Sequence, residues 1–150
     1  MITIQKDISV SSEFNLKLLR NAINTTLKRF DKADCDITLR LTGDEEMRQL
    51  NLAYRGIDAT TDVLSFNQDY MDPDTHRFYL GDIIISVDKA LEQASENQQT
   101  LSQECAFLAI HGTLHLLGFD HIDPEGKTEM WANQEEIFIN VKKTLLEKKQ

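Results

Sequence analysis

Three of the chain's four histidines fall within eleven residues, His111-Gly-Thr-Leu-His115-Leu-Leu-Gly118-Phe-Asp120-His121. Few backbone arrangements accommodate this stretch. His111 and His115, four apart, share one face of a helix, with side chains about 6 Å apart. Gly118 suits the left-handed turn that ends a helix. The chain can then reverse and bring His121 in from a third direction. Three neutral imidazoles with one vacant position describe a catalytic zinc site, with Zn–N near ~2.0–2.1 Å. Core packing is the competing explanation, but it accounts poorly for histidines at i, i+4 and i+10 with glycine at i+7. Zinc is favoured over copper or nickel by ligand type and availability rather than affinity, so another divalent transition metal stays open.

Periodicity gives the frame around this helix. Residues 2–8 alternate apolar and polar as an edge-like strand. Ser11 or Ser12 is the expected cap of a first helix, whose apolar stripe runs from Phe14 to Phe30. Cys35, Ile37, Leu39 and Leu41 form a half-buried strand. Thr42 and Glu45 have the form of a capping box opening a second helix, with Met47, Leu50 and Tyr54 on its buried face and Gly56 at its end. Val63–Phe66 reads as a short strand. Residues 67–79, rich in aspartate and holding Pro73 and His76, read as a mobile, exposed loop. Residues 80–86 are the most apolar strand, expected at the centre of a sheet. A helix over 87–96 follows. Thr100 and Gln103 form a capping box for the histidine helix. Asp123-Pro124 opens the last helix, expected to reach about Leu146 with Met130, Ile137, Val141 and Leu145 inward. The order β-α-β-α-β-β-α-α-α predicts one α+β domain over residues 1–150. It has a mixed sheet of about four strands and the histidine helix at its centre.

The bulk properties exclude some classes. No segment approaches the ~18 apolar residues of a membrane span, and the N-terminal residues lack the pattern of a signal peptide. Cys35 and Cys105 sit in apolar periods and read as buried thiols rather than a disulfide framework. A soluble, cytoplasmic protein is expected. The net charge of −9 argues against a general nucleic-acid binder. Lys17, Arg20, Lys28, Arg29 and Lys32 cluster in or just past the first helix, where a solvated outer face is the plain reading.

An open three-histidine ion polarises a substrate oxygen and acidifies water, which points to hydrolysis. The spacing is that of metzincin peptidases, but their general-base glutamate follows the first histidine directly, and that position here is Gly112. A mid-helix glycine costs about 1 kcal/mol relative to alanine. Gly112 therefore serves either close packing against a strand or access for a bulky substrate.

The histidine stretch resembles the His-Gly-x-Leu-His-Leu-x-Gly-x-Asp-His signature of the YbeY family of bacterial rRNA-maturation endoribonucleases. Tyr54-Arg55 with Thr61-Asp62-Val63-Leu64-Ser65-Phe66, and Gly81-Asp82-Ile83, agree with it. The family commonly has proline before the Thr-Asp-Val-Leu-Ser-Phe run, where this chain has Thr60. The resemblance implies an endoribonuclease specific for single strands, with one zinc per chain. It implies action on the 16S rRNA 3′ end and in quality control of the small ribosomal subunit. It implies that His111, His115 and His121 hold the metal, and that Arg55 lies in the cleft beside the catalytic histidines His111 and His115.

Physics leaves several roles open. Arg55 could grip phosphate and stabilise transition-state charge, or bind its own helix end or pair with Asp58 or Asp62. Asp120 could orient an imidazole or cap a loop. Asp82 and Glu135 are weaker orienting candidates. Met130 reads as core rather than as a support under the metal, and His76 as a surface loop residue. If RNA is the substrate, the basic first helix, with Lys17 and Arg20 as substrate-binding residues, is expected to line the metal groove. Two other functions compete: a metallohydrolase of peptides or amides, and a non-catalytic ribosome-assembly factor with a structural metal.

Overall fold

Two apolar rows set the sheet. Ile37, Leu39 and Leu41 belong to β2 (Asp36–Thr42), and Ile83 and Ile85 to β4 (Phe78–Ser86). The parallel register sets Leu39 beside Ile83 and Leu41 beside Ile85, so both rows fall on one face. A computed structural model describes residues 1–120 and 122–149, with side chains described through Thr144. The other elements are β1 (Ile2–Lys6), α1 (Leu16–Arg29), α2 (Asp44–Arg55), β3 (Val63–Met71), α3 (Val87–Glu96), α4 (Leu101–Leu116) and α5 (Pro124–Lys149). The order matches the one read from the sequence.

The four strands lie in the order β1-β2-β4-β3. β1, β2 and β4 are parallel, and β3 runs antiparallel to β4. The result is the expected single α+β domain with a mixed sheet. β4, one of the two inner strands, is the most apolar and is buried on both faces. Ile83 and Ile85 join the main core with α1 and α4, while Ile84 packs with Met47 and Leu64 beneath α2. Helix α4 packs against α1, α3, α5, β3 and β4. Its central place explains why eleven of its residues are buried.

The capping box at Thr100 and Gln103 forms as expected. Pro124 opens α5, and the Asp123 carboxylate accepts the Gly126 N–H at 2.6 Å. Cys35 and Cys105 are buried free thiols. Among the described residues, no helix is long and apolar enough to cross a membrane.

Four local expectations are corrected. Residues 67–79 are not a mobile loop: β3 continues to Met71, β4 starts at Phe78, and a bulge lies between Asn67 and Tyr70. The aspartates there are turn chemistry, since Asp72 accepts the N–H groups of Asp74 and Thr75 at 2.8 and 3.3 Å. His76 is exposed at the tip of this hairpin with φ +57°. The cap of α1 is Asn15, which accepts the Leu18 N–H at 3.0 Å, because the helix starts later than Ser12. The cap of α2 is Gly43 rather than Thr42, which still belongs to β2 and gives its hydroxyl to Glu46. The orphan Asp44 N–H is met from α3 by Asp88 at 2.9 Å. Tyr54 is not on the buried face of α2: it is 69% exposed and its ring meets Phe66. The inward position of Leu145 lies outside the described side chains.

Candidate active site

The site grows from the burial of α4. Most of the helix is apolar and enclosed, so its polar positions stand out. His111 and His115 are half-buried, while Gly112 between them faces the sheet. A Cβ at Gly112 would lie 2.7 Å from Ile83 Cγ2 and 3.1 Å from Ser65 Oγ. Close packing against β4 and β3 is therefore the reason for this glycine, and no room for substrate is involved. Ser65 also gives its hydroxyl to the Gly112 carbonyl at 3.1 Å, and Asn67 donates to the Leu116 carbonyl at 2.9 Å. These two bonds lock β3 along the histidine face of α4.

The two imidazoles meet as one helical turn predicts. Their Nε2 atoms are 3.1 Å apart, and the rings are nearly perpendicular. Two nitrogens on one tetrahedral zinc at ~2.0–2.1 Å stand roughly 3.3 Å apart, so the pair is spaced as ligands of a shared ion. His111 Nδ1 lies 3.0 Å from Gln134 Oε1. An amide oxygen only accepts, so in the neutral ring Nδ1 carries the proton and Nε2 keeps a lone pair facing His115. Metal-bound histidines are oriented in this way. The donor chemistry fits a zinc ion. Among the described residues no third His, Cys, Asp or Glu completes the set, and the expected third ligand, His121, lies outside them.

The turn after α4 follows the glycine signal. Gly118 has φ +100°; its N–H donates to His115 O and the Phe119 N–H to Leu114 O, each at 3.0 Å, a Schellman ending. Phe119 then packs on Phe30, the residue that ends α1, with ring centroids 5.0 Å apart. Asp120 accepts the Ile122 N–H, which is the loop-cap role.

A cleft of about 530 Å³ opens over the histidines, with Arg55, Asp62, Asn67, Lys127 and Trp131 on its walls. Arg55 is here, at the end of α2. Of the six arginines, Arg20 binds the Ile2 carbonyl, Arg29 pairs with Glu136, Arg40 with Asp7 and Glu46, Arg48 with Asp58, and Arg77 with Asp36. Arg55 alone has no hydrogen-bond or ion-pair partner among the described residues. Asp58 is taken by Arg48. Asp62 accepts the Val63 N–H at 2.7 Å and the Gln93 amide at 3.2 Å. Both partners that could have claimed Arg55 structurally are thus engaged elsewhere.

Of the residues expected to bind substrate, neither Lys17 nor Arg20 is among those lining this cleft; α1 packs against α4, and Arg20 donates to the Ile2 carbonyl of β1. The positive charge at the cleft comes from Arg55 and Lys127. Asp82 faces away from the imidazoles, accepting from the Tyr79 hydroxyl and from Gln68 at 3.1 Å. Burial and this carboxylate push the Tyr79 phenol up to about 12. Met130 is fully buried core. Glu135 is exposed at the edge of a neighbouring cavity. Sequence reasoning missed Gln134, Lys127 and Trp131. All three lie on α5, and no local spacing announces which of its faces returns to α4.

The model of the family described as Endoribonuclease YbeY matches residues 1–142. The Endoribonuclease YbeY of Moorella thermoacetica is 45% identical over 115 residues, 72% of this chain and 74% of that one. The Endoribonuclease YbeY of Roseiflexus castenholzii is 39% identical over 144 residues, covering 91% and 90%. A solution structure from Thermotoga maritima aligns with a TM-score of 0.67 at 28% identity, covering 99% of this chain and 93% of that chain.

Proposed function

The chain belongs to the endoribonuclease YbeY family, and on that premise we propose that it is a zinc-dependent endoribonuclease of single-stranded RNA. Its work is on the 16S rRNA 3′ end and in quality control of the small ribosomal subunit, in the cytoplasm. The observation that carries the metal reading is the facing pair of Nε2 atoms, 3.1 Å apart, with His111 oriented by Gln134. His111, His115 and His121 would hold the ion, one per chain. Bound zinc supplies Lewis acidity, which polarises a phosphoryl oxygen and acidifies water.

The chain's own residues supply the rest. Arg55 has no structural partner to give up, so its guanidinium can grip a phosphate through two parallel hydrogen bonds. It then stabilises the extra negative charge that gathers on the phosphoryl oxygens as the phosphodiester breaks. Lys127 adds a second positive charge to the lining of the cleft. Asp62, with both oxygens already accepting, fixes the junction between the Arg55 loop and β3. A peptidase reading gains nothing here, because the position of its base is Gly112, packed against Ile83.

The test is metal analysis of the full chain together with cleavage of single-stranded and duplex RNA, before and after chelation. One zinc per chain and single-strand cleavage that is lost on chelation and restored by zinc are expected. A folded His115→Ala protein should not cleave. Cleavage indifferent to chelation, or a fully active His115→Ala, would overturn the reading. End-group analysis separates attack by water from attack by the ribose 2′-hydroxyl, since only the latter leaves a cyclic phosphate.

A further inference from the structure

Trp131 is the chain's single tryptophan and is 57% exposed, while Met130 beside it is fully buried. The helix does not need the indole for its core. It stands instead between two cavities that share Asp62, His111 and Trp131. One is the charged cleft with Arg55 and Lys127. The other, about 330 Å³, has Phe107 and Leu108 on its walls. Lys127 Nζ lies 4.8 Å from the centroid of the indole ring, which fixes cation and ring together.

A nucleotide has the same two halves: a charged phosphate and a flat, apolar base. We infer that Trp131 is the stacking platform for a nucleobase next to the phosphate held by Arg55, with the apolar cavity receiving that base. The inference rests on the ribonuclease reading and names the part of the substrate that this wall recognises. It also supplies a physical cause for single-strand specificity. Bases in a duplex are stacked on each other and have no free face, whereas a single strand can offer one to an aromatic ring.

Because Trp131 is the only indole, its emission reports the platform directly. The metal-loaded full chain is mixed with a short single-stranded RNA in a stopped-flow fluorimeter, so that binding is read before cleavage. Quenching is expected, and an abasic residue walked along the RNA should erase it at one position. Stacking of one base is worth roughly 1–3 kcal/mol, so Trp131→Ala should raise KM about 5- to 160-fold, with a smaller effect on kcat. Trp131→Phe should recover most of the KM. The abasic RNA should show the raised KM with the native protein and little further loss with Trp131→Ala.

RNA that is cut while emission stays unmoved, or a Trp131→Ala protein whose KM matches the native one, would overturn the platform and leave the ribonuclease reading standing. Quenching without cleavage would keep the platform and remove the catalytic reading. Neither quenching nor cleavage would remove both. Trp131 is exposed and outside the core, so its truncation should leave thermal unfolding of the variant unchanged.

Discussion

Replacing Gln134 with leucine should cost zinc affinity without unmaking the fold. The side chain is 5% exposed, and its amide oxygen is 3.0 Å from His111 Nδ1. Leucine fills similar space but offers no acceptor. His111 then has two options. It can keep the proton on Nδ1 as an unsatisfied donor, at a penalty of about 1–3 kcal/mol. Or it can move the proton to Nε2, which removes the lone pair that faces His115 across 3.1 Å. Both weaken the ligand pair. Loss of such an orienting partner typically lowers metal affinity 10- to 100-fold, about 1.4–2.7 kcal/mol. Competition with a chromophoric chelator near neutral pH measures this without reference to catalysis. Gln134→Glu keeps an acceptor and adds charge, so it should bind zinc at least as tightly as the native chain. A folded Gln134→Leu protein with unchanged zinc affinity would refute the orienting role and the tautomer assigned to His111.

Arg55→Ala should lower kcat/KM for single-stranded RNA by about 10²–10³-fold, and Arg55→Lys should recover only part, since an ammonium cannot make the paired contact. With two cations in the cleft, RNA affinity should fall with salt at a logarithmic slope of roughly −1.4, about half of it lost in Arg55→Ala. Gly112→Ala gains about 1 kcal/mol of helix propensity but overpacks against Ile83 at a cost of about 1–3 kcal/mol. The net cost is up to about 2 kcal/mol, so its Tm should drop by a few degrees, and a raised Tm would refute the packing argument. Burial raises the Glu104 carboxyl above its ordinary value, with Asn97 opposing and the Asp62 charge assisting. The folded state therefore holds that proton more tightly, and this contribution is full below about pH 4.5 and is lost as pH rises through the folded value. Denaturant titrations should find Glu104→Gln more stable than the native chain at pH 8, with the difference closing near pH 4.

What the chain reveals by inspection divides along contact range. The i, i+4 histidines, the Thr100–Gln103 box and the Gly118 turn are set within one or two helical turns, and each forms as read. The sheet was legible because Ile37, Leu39, Leu41, Ile83 and Ile85 repeat with period two. The burial of β4 on both faces accounts for its inner place between β2 and β3. The hairpin over residues 67–79 was misread because Asp69, Asp72 and Asp74 look like solvated loop, yet Asp72 is bonded into a tight turn. Gln134, Lys127 and Trp131 were not legible at all. Their role depends on how α5 folds back over α4, where Phe138 meets Phe107 with centroids 5.1 Å apart. Nothing short-ranged in the sequence of α5 encodes that pairing.

The charge of the chain shows why composition misleads about partners. A total of −9 describes the field far from the molecule. Binding is decided within about one Debye length, ~8 Å at physiological salt. At that range what counts is which charges remain available. Five arginines are spent on carboxylates or a carbonyl of their own chain, and five of the 25 carboxylates are spent with them. Asp7, Asp36, Glu46, Asp58 and Glu136 all face an arginine. Arg55 is left over, and it stands with Lys127 on the walls of the histidine cleft. Arg55 and Lys127 therefore offer a strand positive charge in the cleft although the chain as a whole is acidic. That arrangement suits an enzyme that must release its product better than a basic face across α1 would.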